Sequence, residues 1–202
     1  MILQGSIFFR CDRNVNGGGV LVATRNQVQA SEVKLDTFGE EMVIIRLPSN
    51  LAICCYYRPH VSLKNADKVS DVLRSLYQRH QSHKVILLGD MNLPGIDWTT
   101  GLIKNGASHK CIQQQFINML HENSLTQIIR EPTHIHGNTL DLLCVNDTSI
   151  VCSTEVITPG LSDHSIITAE VKYGSFAHQD EHILIGVRSV STARQTILNS
   201  EN

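Results

Sequence analysis

Thr139–Asn146, TLDLLCVN, places a carboxylate inside a strand-length apolar run. Leu140, Leu142 and Leu143 surround Asp141. Burying a charge without a partner costs roughly several kcal/mol or more. Any fold that buries this run must therefore bring Asp141 a cation, a metal or a histidine. His164, in GLSDHSIITAEV, is a natural candidate. An Asp–His hydrogen bond fixes the imidazole tautomer and raises its basicity. An arginine would satisfy the same carboxylate.

Strand signals outnumber helix signals along the rest of the chain. GGGVLVAT (17–24) reads as a glycine turn and a strand. EMVIIRLP (41–48) and LAICCYYRP (51–59), linked by Ser49-Asn50, read as a hairpin. KVILLGD (84–90), TLDLLCVN (139–146), IVCSTEVI (150–157) and SIITAEVK (165–172) are further strands. Two stretches show helical spacing: Val69, Val72, Leu73, Leu76 and Tyr77 in 66–80, and Ile112, Phe116, Met119 and Leu120 in 109–123. Each helix is expected to cover one sheet face, which indicates an α/β sandwich of mixed sheets. A chain of 202 residues, 42% hydrophobic, has room for one core and little more. The domain is expected over 1–172. Residues 173–202 lack firm periodicity beyond the apolar patch Ile183–Val187 and read as a tail, partly disordered.

Several strands end in polar groups. Tyr57-Arg58-Pro59 follows AICCY, Asp90-Met91-Asn92 follows VILLG, and Asp163-His164 precedes SIITAEV. Period 2 puts Asp90 and Asn92 on one side of a strand end. A carboxylate there can deprotonate or position water, and an amide can donate to a phosphate oxygen as charge builds. Asp163 can ligate a divalent cation such as Mg²⁺, which favours carboxylate oxygens, water and phosphate. Together these groups suit hydrolysis of a phosphate ester. Each has a plainer reading. Asp90-Met91-Asn92 before Pro94-Gly95 is equally a turn, Asp163 after Ser162 a cap, and Tyr57 a packed edge residue.

The totals exclude other classes. A net charge of −2 gives no strong field for nucleic acid, so phosphate binding must rest on local groups or a metal ion. Arg58, Lys104, Lys110 and Arg130 could contact phosphates, but scattered basic residues are more often solvated surface. Six cysteines without a C-x-x-C pair suggest buried reduced thiols. His134-x-His136 lacks a second ligand pair at zinc-finger spacing. No apolar run reaches membrane-spanning length, so no membrane partner is expected.

GDMN, TLD and SDH in this order, with YYRP upstream, resemble the endonuclease/exonuclease/phosphatase superfamily. FFRCDRNVNGGGVLVATRN, LGDMNLPGIDW, FINMLHENSLTQIIREPTH, NTLDLLCVND and PGLSDHSII are similar to the apurinic-type endonuclease domain of LINE-like (non-LTR) retrotransposon proteins. The likeness runs from about Ser6 to Lys172. It implies a four-layer α/β sandwich with two mixed, mainly antiparallel sheets face to face. It also implies Mg²⁺-dependent cleavage of a DNA phosphodiester, with Mn²⁺ as an alternative ion. The resulting nick would prime reverse transcription by a fused reverse transcriptase, which this sequence does not include. By resemblance, Tyr57 contacts the scissile phosphate and Asp90 orients or deprotonates water. Asn92 holds a phosphate oxygen, Asp141 orients the histidine, His164 stands at the phosphate, and Asp163 lies near the metal. The enzyme would work inside the cell and need access to the nucleus, or remain cytoplasmic if inactive.

The sequence departs from that family at its start. The family opens with a strand carrying an Asn and another ending in a metal-binding Glu, and neither segment is present here. Glu32, Glu40 and Glu41 follow the glycine turn and are not substitutes. The expectation is a domain lacking its first strands, with an exposed sheet edge and a weakened magnesium site. The alternatives are an inactive remnant of the same fold or a superfamily phosphomonoesterase.

Overall fold

The computed structural model describes residues 5–14, 19–37, 39–59, 65–79, 84–158, 162–176, 179–188 and 194–200. In chain order the elements are β1 (Ser6–Asp12), β2 (Gly19–Arg25), β3 (Ser31–Glu32), β4 (Glu41–Arg46), β5 (Leu51–Tyr57), α1 (Asn65–Arg79), β6 (Lys84–Asp90), β7 (Ile96–Asp97) and β8 (Leu102–Ile103). They continue with α2 (Lys110–Glu122), β9 (Thr126–Gln127), β10 (Asp141–Val145), β11 (Val151–Ile157), β12 (Ile166–Phe176), β13 (Gln179–Arg188) and β14 (Arg194–Ser200). A single 3-10 turn, Thr148–Ile150, leads into β11.

The first sheet runs β3-β4-β5-β6-β10-β9 and the second β1-β2-β14-β13-β12-β11. Each has one parallel pair, β5–β6 and β14–β2, and is otherwise antiparallel. The fold is mixed α/β, as the periodicities predict. The hairpin expected across Ser49-Asn50 forms, with Glu41 opposite Tyr57 at its far end.

Strand alternation divides the core in two. On one face of the first sheet, Ile44, Cys54, Tyr56, Val85, Leu87, Leu142 and Cys144 pack with Val69, Leu73 and Leu76 of α1 and with Phe116 and Leu120 of α2. On the other face, Val43, Ile45, Ile53, Cys55, Ile86, Leu88, Leu143 and Val145 meet Val20, Val22, Ile167, Ala169, Val171, Ile183 and Ile185 of the second sheet. Burying a side chain of this size contributes roughly 1.5–3 kcal/mol.

Each helix covers a sheet face, as its apolar stripe predicts, and both cover the same face of the first sheet. A single amphipathic stripe reveals that a helix covers a sheet, but not which sheet. Among the described residues the layers are helices, first sheet and second sheet, and no helix forms a fourth. The stretch after Lys172, read as a tail, carries the end of β12 together with β13 and β14. Ile183 and Ile185, read as an apolar patch, are the inward residues of a period-2 strand.

β1 was not foreseen either. Its residues are mostly exposed or half-buried, with Phe8 about half exposed, so the core pattern is faint. The Pro/Gly loop 93–106 holds the short β7–β8 pair. The cysteines span three environments. Cys54, Cys55 and Cys144 are buried, Cys11 is half-buried, and Cys111 and Cys152 are exposed, none of them in a disulfide.

Candidate active site

Asp90 ends β6 and Asp141 begins β10, and the antiparallel register sets them directly opposite each other. Ile86 and Leu88 share the inter-sheet face, so period 2 turns Asp90 the same way; Leu143 and Val145 do the same for Asp141. Both carboxylates are buried, Asp141 at 0% exposure. Like charges directly opposite on a sheet repel.

His164, at the entry to β12 from the second sheet, meets them. Its Nδ1–H donates to Asp141 Oδ2 at 2.6 Å, the contact expected from the sequence. Its Nε2 lies 3.9 Å from Asp90 Oδ2. Burial disfavours the imidazolium, but the Asp141 hydrogen bond and the charges of Asp141, Asp90 and Asp163 outweigh it, and the His164 pKa is raised above its ordinary value.

Local backbone geometry fixes the carboxylates. Gly89 has φ of +130°, and a Cβ there would stand 2.0 Å from the Tyr56 carbonyl oxygen. Only glycine lets β6 approach β5 closely at this point. Asn92 has φ of 49°. Its N–H donates to Asp90 Oδ1 at 2.9 Å, and its Nδ2 donates to the Arg58 carbonyl at 2.7 Å. The Arg58 N–H in turn donates to the Asp90 carbonyl at 3.0 Å.

The guanidinium of Arg58 is buried, and that burial lowers its pKa although Tyr56, Glu40 and Asp90 oppose the shift. It donates to the carbonyls of Met91 and Asn92 at 3.3 and 3.5 Å, so it supports the turn from beneath. Lys104 also binds protein groups, the Pro94 carbonyl and Asn138 Oδ1. Arg130 holds the Trp98 carbonyl.

Tyr57 ends β5, one strand over from Asp90, and packs at the edge of the inter-sheet core. Arg13 lies 4.9 Å above its ring and is paired with Glu41 at 2.6 Å. Asp163 is more exposed and sits 3.8 Å from His134 Nε2. Asp90, Asp141 and His164 therefore form the centre, with Asn92 joined to Asp90, Tyr57 alongside, and Asp163 reached through His134.

Thr133 and His134 received no role from sequence. Thr133, wholly buried, accepts from the N–H groups of Leu140 and Asp141 at 2.9 Å each. It thereby sets the start of β10. His134 bridges to His164 in backbone pairing, with ring centroids 4.8 Å apart. Its Nδ1 accepts from the His136 N–H at 3.2 Å, which leaves the proton on Nε2, facing Asp163. Burial, then the charges of His164 and His136, lower its pKa. The signal for both was Thr133-His134-x-His136 only a few residues before Asp141.

Two groups here could hold a cation: Asp90, Asp141 and His164, and His134, Asp163 and His164, each with ligand atoms within 4.8 Å of one another. Carboxylate oxygens suit a hard divalent ion. Asp141 is committed to His164 and Asp90 Oδ1 to the Asn92 N–H, so Asp163, the exposed carboxylate of the second group, is the better oxygen donor. Glu40 and Glu41 are engaged elsewhere, Glu40 with Tyr56 Oη at 2.8 Å, with Asn65 and with Lys68 at 2.9 Å.

The chain is of the endonuclease/exonuclease/phosphatase type. The endonuclease-reverse transcriptase family matches residues 51–168, and the chain belongs to that family. The match takes in Tyr57, Asp90, Asn92, Asp141, Asp163 and His164. The family points to a nuclease-type hydrolase from retrotransposons. A search of curated proteins finds no match. Among the described residues no helix is long and apolar enough to cross a membrane.

Proposed function

We propose that this chain is the apurinic-type endonuclease domain of a LINE-like (non-LTR) retrotransposon protein, and that it nicks DNA by hydrolysing a phosphodiester. The observation that carries this reading is the Asp90–His164–Asp141 constellation at the mouth between the sheets. Asp141 holds His164 by Nδ1, so Nε2 is the atom that faces substrate. The raised pKa favours the imidazolium, whose Nε2–H can donate to a phosphate oxygen. Asp90 keeps one oxygen on the Asn92 N–H and turns the other toward His164, where it can take a proton from the attacking water. The Asn92 turn and Tyr57 border the same mouth and position the phosphate.

Asp163 would hold Mg²⁺, with Mn²⁺ as an alternative. The ion supplies positive charge that offsets charge developing on the phosphate. DNA is the partner, the nick is the primer for a reverse transcriptase, and the enzyme acts in the nucleus. The four-layer sandwich belongs to this reading as the architecture of the family at large.

Incubation of supercoiled plasmid with purified protein and Mg²⁺ tests the proposal. Open circles are expected from the wild type and not from Asp90→Ala or His164→Ala. Equal nicking by wild type and Asp90→Ala would end the enzymatic reading of this chain. Preference for a phosphomonoester over duplex DNA would assign it to the phosphatases instead.

A further inference from the structure

A second ligating cluster lies on the outer face of the second sheet. Cys152, Glu170 and His182 come from the adjacent strands β11, β12 and β13, and each offers a ligand atom within 4.8 Å of the others. The inward residues of these strands, Ile167, Ala169, Val171, Ile183 and Ile185, fill the inter-sheet core, so Glu170 and His182 face away from it.

The backbone brings the thiol into range. Val151 pairs with Val171 and Ser153 with Glu170, so Cys152 is the extra residue of a β-bulge. A bulge re-aims a side chain. Here the exposed Cys152 Sγ lies 3.8 Å from His182 Nδ1. His182 Nδ1 is 2.7 Å from Glu170 Oε1. The other carboxylate oxygen accepts from Ser153 Oγ at 3.3 Å, which orients Oε1 toward the histidine.

We infer that Cys152, Glu170 and His182 form a binding site for a borderline-soft divalent cation, Zn²⁺ foremost. Thiolate, imidazole and carboxylate are zinc's three usual donor types. Tetrahedral zinc with bonds of about 2.0–2.3 Å spaces its ligand atoms roughly 3.3–3.7 Å apart. Opening the His182–Glu170 contact by less than about 1 Å and closing the thiol contact slightly meets that geometry. The cation replaces the proton shared by His182 and Glu170 and the proton of the thiol. Water takes the fourth position. The bound ion ties three strands together on a face that no helix covers among the described residues. Magnesium prefers oxygen donors and is not the ion for this site. The inference stands on its own residues and does not depend on the nuclease reading.

Cobalt titration of the metal-free full chain tests it, because a thiolate–cobalt charge-transfer band cannot arise at a site made of carboxylates and histidines. One equivalent of Co²⁺ is expected to produce the band in the wild type, and Zn²⁺ to abolish it. Cys152→Ser should remove the band, while Cys111→Ser, at the other exposed thiol, should keep it. Ser153→Ala should weaken affinity roughly tenfold, by releasing the carboxylate. Zinc should raise the melting temperature of the wild type and not of Cys152→Ser. A wild type without the band, a band that survives Cys152→Ser, or equal zinc stabilisation of both proteins overturns the site.

Discussion

Asp90 and Asp141 stand opposite each other across β6 and β10, and His164 reaches both, hydrogen-bonded to Asp141 and 3.9 Å from Asp90. Two carboxylates on adjacent strands repel, and their charges raise the His164 pKa, which favours the imidazolium between them. The sequence problem posed by a charge inside TLDLLCV is solved by a residue 23 positions later on the other sheet.

Asp141→Asn should therefore lower the His164 pKa, as read by NMR titration of the ring protons. The hydrogen bond and charge that raise it are both weakened. Nicking should fall by about 10²–10⁴-fold, the usual scale of a lost acid–base contribution. An unchanged titration midpoint would disconnect Asp141 from the histidine.

The same pair makes stability depend on pH. A raised folded-state pKa means that the native state binds the His164 proton more tightly than the unfolded chain does. The stabilisation is fully present below the unfolded histidine value of about 6.5 and is lost as pH rises through the raised native value. Urea midpoints across that window should fall with rising pH for the wild type. His164→Gln should flatten this component, and an identical slope in both proteins would contradict it.

Thr133 gives a packing prediction that needs no activity. Its hydroxyl accepts two backbone N–H groups in a wholly buried setting. Thr133→Val keeps the shape and strands both donors, at a cost of roughly 1–3 kcal/mol each. Thr133→Ser should retain most of the stability. Chemical denaturation of the two variants separates hydrogen bonding from volume.

Glu40 joins Tyr56, Asn65 and Lys68 on the helix side of the first sheet. Glu40→Ala removes the acceptor of all three and should cost about 3–5 kcal/mol. Molecules that remain folded, at low temperature, should keep the Mg²⁺ dependence of nicking. A shifted metal requirement would instead make Glu40 a ligand.

The sequence exposed the centre of the site better than its surroundings. Asp90, Asp141 and His164 were legible because a polar residue at the end of, or inside, an apolar strand run needs a reason. Burial energetics called for a partner to Asp141, with His164 one candidate beside a metal ion or an arginine. Thr133 and Arg58 were not legible as supports, because their partners are backbone groups, which carry no sequence signature. The shared placement of α1 and α2 was hidden for a related reason: an apolar stripe of a helix does not identify the sheet that it covers. β13 was missed because its inward residues Ile183 and Ile185 flank the apolar Leu184, so no period-2 alternation shows.

Asn92 combines two roles that substitution can separate. Its positive φ shapes the turn after β6, and its N–H holds Asp90 Oδ1. Asn92→Gly preserves both, since glycine adopts this φ freely and keeps the N–H. It deletes only the side-chain amide, which rests on the Arg58 carbonyl and borders the site. Losing that neutral hydrogen bond should cost about 0.5–1.5 kcal/mol. Nicking should fall by roughly 10²–10³-fold, the scale of a lost donor to developing negative charge. Asn92→Ala adds backbone strain of about 1–3 kcal/mol and should be the less stable of the two. If Asn92→Gly nicks at the wild-type rate while Asn92→Ala does not, the turn matters and the amide does not.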